Sequence, residues 1–175
     1  MISLICGPMW SGKTTEVIRR LQRAYIANKK VVLIRPPADT RDFLSHSGLG
    51  VDWLPQVSSR LVRLDCSAYD CIGVDEGQFC DGLTEFCLKH SLMGKHVIVS
   101  ALHATSESEM FDPIIKLVPY CEEIEKLNAV CMNCGSDFGN YTYYTAGKKT
   151  DKVAVGGSES YSALCDKCYD KGMGK

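Results

Sequence analysis

Residues Gly7-Pro8-Met9-Trp10-Ser11-Gly12-Lys13-Thr14 match G-x-x-x-x-G-K-[ST] at every fixed position. The motif functions only between a strand and a helix, so it constrains the fold as well as the chemistry. Before it, Ile2-Ser3-Leu4-Ile5-Cys6 reads as a short buried strand. After it, Val17, Ile18, Leu21, Ala24 and Tyr25 recur at helical spacing, with Arg19, Arg20, Gln22 and Arg23 on the other face, and the helix is expected to end near Asn28. Backbone N–H groups can wrap a polyphosphate where side chains leave room, which places Gly7 and Gly12 at the bends. Lys13 then meets the outer phosphates as a point charge. The Thr14 hydroxyl is set to ligate Mg²⁺ at a helix N-terminus that itself favours anions.

The remainder of the chain fits an α/β protein built on one parallel sheet flanked by helices. Val31 to Ile34 is an apolar, partly β-branched run suited to a strand covered on both faces, and Pro36-Pro37 ends it. From there to about Arg60 no period is clear, and the segment reads as a loop. Leu61 to Leu64 is assigned to an edge strand. Cys71 to Val74 is the next buried strand, with Asp75-Glu76 at its C-terminal end, where ligands gather in open α/β sheets. A helix over Leu83 to Leu92 stops at Gly94, and His96 to Leu102 forms a further strand. His90 and His96 read as packing or surface residues. Ser106 to Glu109 has capping-box spacing, and the apolar residues Ile114, Ile115, Leu117 and Val118 stop at Pro119.

Composition changes near Val130. Cys131-Met132-Asn133-Cys134 and Cys165-Asp166-Lys167-Cys168 form two C-x-x-C knuckles. Four thiolates in two pairs suit a closed tetrahedral Zn²⁺ site with a structural role. A redox dithiol does not need a twin. The intervening residues 135–164 then form an excursion pinned at both ends, able to fold over a ligand. The expected organisation is a nucleotide-binding domain over 1–129 and a zinc-binding domain over 130–175.

The 20 Lys+Arg against 21 Asp+Glu leave a net charge of −1, so no overall basic field draws the chain to nucleic acid or to an anionic membrane. No apolar run approaches the roughly 18 residues of a membrane span, and the first strand is too short for a signal peptide. Cytoplasmic placement follows, where thiols stay reduced. Asp75 and Glu76 can take separate roles, since neighbours on an extended strand point to opposite sides. Asp75 would face Mg²⁺. Glu76 would take the proton from an acceptor hydroxyl, activate water as in an ATPase, or cap the next helix; patterning alone leaves these open.

The P-loop, Asp39-Thr40-Arg41, Val74-Asp75-Glu76-Gly77-Gln78-Phe79, Val130 to Cys134 and Gly156-Gly157 with Tyr161 together resemble the type II thymidine kinases of cells and large DNA viruses, in order from about residue 2 to residue 169. The resemblance implies ATP-dependent phosphorylation of deoxythymidine at its 5′-hydroxyl. Glu76 would be the general base, Asp75 would hold Mg²⁺ through water, and Asp39 and Arg41 would act at the sugar and phosphate end. Met9, Phe79, Leu102 and Phe111 would wall the base pocket, while the backbone near Val153 to Gly156, with Tyr161, would grip base and sugar as a lasso. It also implies a homotetramer and inhibition by dTTP in the nucleoside pocket. The chain departs from the family pattern where Ser106 replaces an aromatic residue after Leu102-His103-Ala104-Thr105, where Trp10 replaces Phe, and where Cys80 stands for a second Phe. A kinase for another nucleoside and a nucleic-acid-stimulated P-loop ATPase are the alternatives. Near-neutral charge and the lack of an interleaved basic and aromatic stretch argue against the second.

Overall fold

A computed structural model describes residues 1–37, 52–146 and 159–172. In it the buried runs form strands whose alternate side chains enter two separate cores. Strands β1 (Ile2–Gly7), β2 (Val31–Arg35), β3 (Gln56–Ser58), β4 (Cys71–Val74), β5 (His96–Leu102) and β6 (Glu123–Lys126) make one parallel sheet in the order β3-β2-β4-β5-β1-β6. Ile5, Leu33, Cys71 and Ile98 face helix α1 (Lys13–Ile26), which presents Val17, Ile18 and Leu21. Leu4, Ile34, Ile72 and Val99 face the other way, toward α2 (Leu83–Leu92) and α3 (Asp112–Leu117). A parallel sheet covered on both faces is the outcome that continuous apolar strands require.

Several expectations are corrected. Leu61 to Leu64 is not an edge strand: Leu61–Arg63 is a 3-10 turn that buries Leu61 and exposes Val62. The edge strand beside β2 is β3, within the stretch read as loop. Its polar residues carry no apolar period because an edge strand needs little burial, and Pro55 contributes a carbonyl to the Leu33 N–H at 2.9 Å. Ser106 to Glu109 caps no helix. It lies in a small hairpin closed by the Ala104–Met110 bridge, and α3 begins at Asp112 with Pro113 in its first turn, where a missing N–H costs nothing. Of the apolar residues expected to end at Pro119, Ile114 and Leu117 are buried, whereas Ile115 and Val118 are exposed.

β6 is a strand with three charged residues in four, made tenable by α1. Arg20 reaches Glu123 and Glu125, each at 2.6 Å, and Glu16 at 2.8 Å, while Arg19 holds Glu16 at 2.6 Å. The Arg19 hydrogen bond chiefly, opposed by partial burial and aided by Arg20, holds the Glu16 carboxyl at about 2 against an ordinary 4.5. Arg20 likewise lowers Glu123. Because these folded values lie below the unfolded ones, the network stabilises the native state above the unfolded pKa. That contribution is lost as pH falls through the folded values. Urea midpoints at about pH 5 and about pH 3 should therefore drop less for Arg20→Ala than for the wild type. Equal drops would remove this network from the acid sensitivity.

The second unit is small. β7 (Tyr141–Tyr144) and β8 (Tyr161–Leu164) pair antiparallel, and helix α4 (Asp166–Gly172) packs Tyr169 with Cys131, Leu164 and Cys168. The excursion between the knuckles thus contains an antiparallel strand pair, of which β7 is made of β-favouring Tyr and Thr residues. Among the described residues no helix is long and apolar enough to cross a membrane.

Candidate active site

The loop after β1 and the turn after β4 meet at the C-terminal edge of the sheet. Gly7 has no room for a side chain: a Cβ there would stand 2.6 Å from the Leu127 carbonyl oxygen and 2.7 Å from Ser11 Oγ. Its smallness therefore serves the close approach of the chain that follows β6, as well as the bend. Gly12 has φ +80° and leads directly into α1, a left-handed backbone that favours glycine. Trp10 is also left-handed, at φ 67°, and its half-exposed ring leaves the loop. Lys13 is buried and donates from Nζ to the Pro8 carbonyl at 2.6 Å, and Ser11 Oγ donates to the same oxygen at 2.9 Å.

Thr14 and Asp75 come together as the motif requires. The Thr14 hydroxyl lies 3.0 Å from each oxygen of the Asp75 carboxylate, and Ser100 on β5 donates to Asp75 Oδ1. Asp75 is buried, and its own N–H bonds the Ile34 carbonyl at 2.9 Å. A hydroxyl beside a buried carboxylate is a hard-oxygen donor set, which fits Mg²⁺.

Glu76 is separated from Asp75 differently from the strand argument. β4 ends at Val74, and Glu76 adopts φ 51°, ψ 43°, a left-handed conformation for a residue with a side chain. Such backbone costs roughly 1–3 kcal/mol and persists where surrounding structure imposes it. Gln78 does so: its Nε2 donates to Glu76 Oε2 at 2.6 Å, and its Oε1 accepts the Leu102 N–H at 3.0 Å. Gly77 lets this turn lie on β5, since a Cβ would stand 2.7 Å from Val99 Cγ1. Phe79 and Phe111 meet edge to face, 6.2 Å between centroids at 77°. Leu102 is in register with Gly7, and the Met9 N–H donates to Thr142 Oγ1 of β7 at 3.0 Å.

The P-loop, Asp75, Glu76, Leu102, Phe79 and Phe111 are therefore assembled around one edge of the sheet. Tyr161 lies on β8, buried against Tyr144 at 5.2 Å. Asp39, Arg41, Val153 and Gly156 lie outside the described residues. Gln78, Ser100 and Thr142 escaped the sequence reading as functional positions, although Gln78 stands inside the Asp-Glu-Gly-Gln-Phe segment.

Cys131, Cys134, Cys165 and Cys168 bring their sulfurs within 4.8 Å of one another. The Cys134 and Cys165 sulfurs are 3.6 Å apart, close to the ~3.8 Å edge of a tetrahedron with ~2.3 Å Zn–S bonds. Desolvation raises the Cys131 thiol, yet the N–H groups of Cys165, Cys134 and Asn133 bring it down to about 6. At Cys134 the Ser136 N–H acts to lower the thiol, but its bonds with Cys131, Cys165 and Cys168 push it up to about 12. A thiolate is thus favoured at Cys131, and a soft cation would displace the proton held at Cys134. Cys165 and Cys168 straddle the start of α4, a position redox dithiols also use, but the twin pair alongside makes a metal tetrad the better fit.

A thymidine kinase family model matches residues 1–169. The cytosolic thymidine kinase of Cricetulus griseus is 40% identical over 173 residues, covering 97% of this chain and 73% of that protein. A thymidine kinase of Myxoma virus (strain Lausanne) is 36% identical over 171 residues, covering 96% of this chain and 95% of that one. One from Bacteroides thetaiotaomicron is 35% identical over 179 residues, covering 99% and 89%.

Proposed function

The chain belongs to the thymidine kinase family, and from that premise we propose that it transfers the γ-phosphate of ATP to the 5′-hydroxyl of deoxythymidine, giving dTMP. The observation that carries the mechanism is the juxtaposition of Thr14 and Asp75 with Glu76, which Gln78 ties to the end of β5. Phosphoryl transfer needs little covalent help from protein, so catalysis is positioning plus charge stabilisation. The loop N–H groups and Lys13 bind the phosphates, and Lys13 exchanges its Pro8 contact for them. Mg²⁺, when bound with ATP, neutralises charge on the outer phosphates; Thr14 and Asp75 are the residues that would hold it. Glu76 accepts the 5′-hydroxyl proton and orients the oxygen in line. Asp39 and Arg41 act at the sugar and the transferring phosphate.

The base lies between Met9, Leu102, Phe79 and Phe111, and the family resemblance adds Val153, Gly156 and Tyr161 to its recognition. Residues 1–129 form the nucleotide-binding domain and 130–175 the lasso domain, anchored by Zn²⁺ on the four cysteines. Family resemblance further supports a homotetramer, dTTP as a feedback inhibitor and cytoplasmic placement.

ATP consumption measured against a panel of nucleosides and single-stranded DNA should rise with deoxythymidine above all others, and dTMP should be recovered. Stronger turnover with another nucleoside would reassign the substrate, and stimulation by DNA alone would favour the ATPase alternative.

A further inference from the structure

Tyr169 directly follows the metal-tetrad residue Cys168. Its buried ring stacks on Tyr141 at 4.3 Å and 17°, and meets Tyr143 edge-on at 6.0 Å. The hydroxyl, however, points out of this small unit. It donates to the Ser106 carbonyl at 2.8 Å and accepts from Ser108 Oγ at 3.2 Å. Both partners belong to the hairpin of residues 104–110, closed by the Ala104–Met110 bridge and by the Thr105 N–H on the Glu109 carbonyl at 2.8 Å. This hairpin joins Leu102 to Phe111, two of the four walls assigned to the base pocket.

Among the described residues a partly open cleft of about 270 Å³ lies between Thr105, Ser108 and Met110 on the hairpin, Lys126 on β6, and Asn140 and Tyr141 on the other unit. Ser108 is moreover left-handed, at φ 63°, a backbone that a residue with a side chain keeps only where its surroundings hold it. The two hydrogen bonds of the Tyr169 hydroxyl are directional and link the hairpin to α4.

We propose that Tyr169 is a positioning residue for the nucleoside base: its hydroxyl straps the 104–110 hairpin to the metal-anchored helix and so sets the separation of Leu102 and Phe111. The inference rests on the thymidine kinase reading. It explains how Ser106, where the family has a ring, contributes through its main chain, and it makes nucleoside affinity answer to the integrity of the cysteine tetrad.

Tyr169→Phe keeps the ring stacked on Tyr141 and deletes both hydroxyl bonds. The KM and the calorimetric Kd for thymidine should each rise about five-fold or more, the effect of one to two neutral hydrogen bonds. The KM for ATP, kcat at saturating thymidine and the bound zinc should stay at wild-type values. Ser108→Ala, which removes the longer bond, should move the thymidine constants the same way by less. An unchanged thymidine Kd with zinc retained overturns the proposal. Loss of zinc, or an equal rise in the KM for ATP, also overturns it, because the hydroxyl would then serve only the folding of the metal unit. Should the wild type turn over a different nucleoside instead, the functional reading fails, and the same Kd comparison with that nucleoside decides the role of Tyr169.

Discussion

Glu76→Gln should lower kcat by ~10²-fold or more while leaving the affinities for ATP and thymidine close to wild type, since a positioned general base contributes about 10²–10⁴-fold. The substitution is nearly isosteric. Gln78 Nε2 can still donate to the amide oxygen that replaces Glu76 Oε2, so the left-handed turn is expected to survive and the loss to report basicity rather than position. Asp75 cannot take over. Its carboxylate is buried and engaged by Thr14 and Ser100. Single-turnover rates with both substrates bound would separate the chemical step from binding. Wild-type turnover in Glu76→Gln would remove this carboxylate from the proton transfer and leave positioning alone as the source of catalysis.

The contrast between these adjacent carboxylates was only half legible in the chain. Their presence after an apolar strand is a local pattern, and so is the strand, loop and helix around Gly7 to Thr14. What separates them is not local. The left-handed backbone of Glu76 depends on Gln78, whose other hydrogen bond is to Leu102 of a different strand. Thr142 is joined to Met9 across 133 positions. Polar side chains of this kind carry no periodicity, and their roles emerge only when distant segments meet.

Strand legibility follows the same division. β2, β4 and β5 are central, buried on both faces, and written as apolar runs. β3 and β6 are the two edges. An edge strand has one neighbour and needs no continuous burial, so Gln56–Ser58 and Glu123–Lys126 resemble loop sequence. The charges of β6 become intelligible only beside Arg20, which lies on a helix more than a hundred residues earlier. The cysteine pairs were legible for the opposite reason: metal chemistry imposes a spacing that survives any intervening insertion.

Cys165→Ala should yield protein that binds no zinc and loses most thymidine turnover, yet still binds ATP. Among the described residues the small unit has little apolar interior: its buried cluster is Cys131, Leu164, Cys168 and Tyr169, with Tyr141, Tyr143 and Cys165 packed against it, and two of those four buried residues belong to the cysteine tetrad that would hold the metal. Structural zinc supplies folding free energy of about 10–16 kcal/mol in comparable small peptides, far beyond what those contacts provide. The consequences run outward along identified bonds. Without the metal, α4 no longer holds Tyr169 under the 104–110 hairpin, and β7 no longer presents Thr142 to the Met9 N–H. Both changes act on the nucleoside side of the site, whereas Lys13, Thr14 and Asp75 rest on the large sheet and its own core. Thymidine affinity and ATP affinity should therefore separate on loss of the tetrad. A stoichiometric zinc measurement, paired with calorimetric titration of each substrate, reads that separation directly. Wild-type thymidine affinity in a zinc-free Cys165→Ala protein would sink the anchoring role.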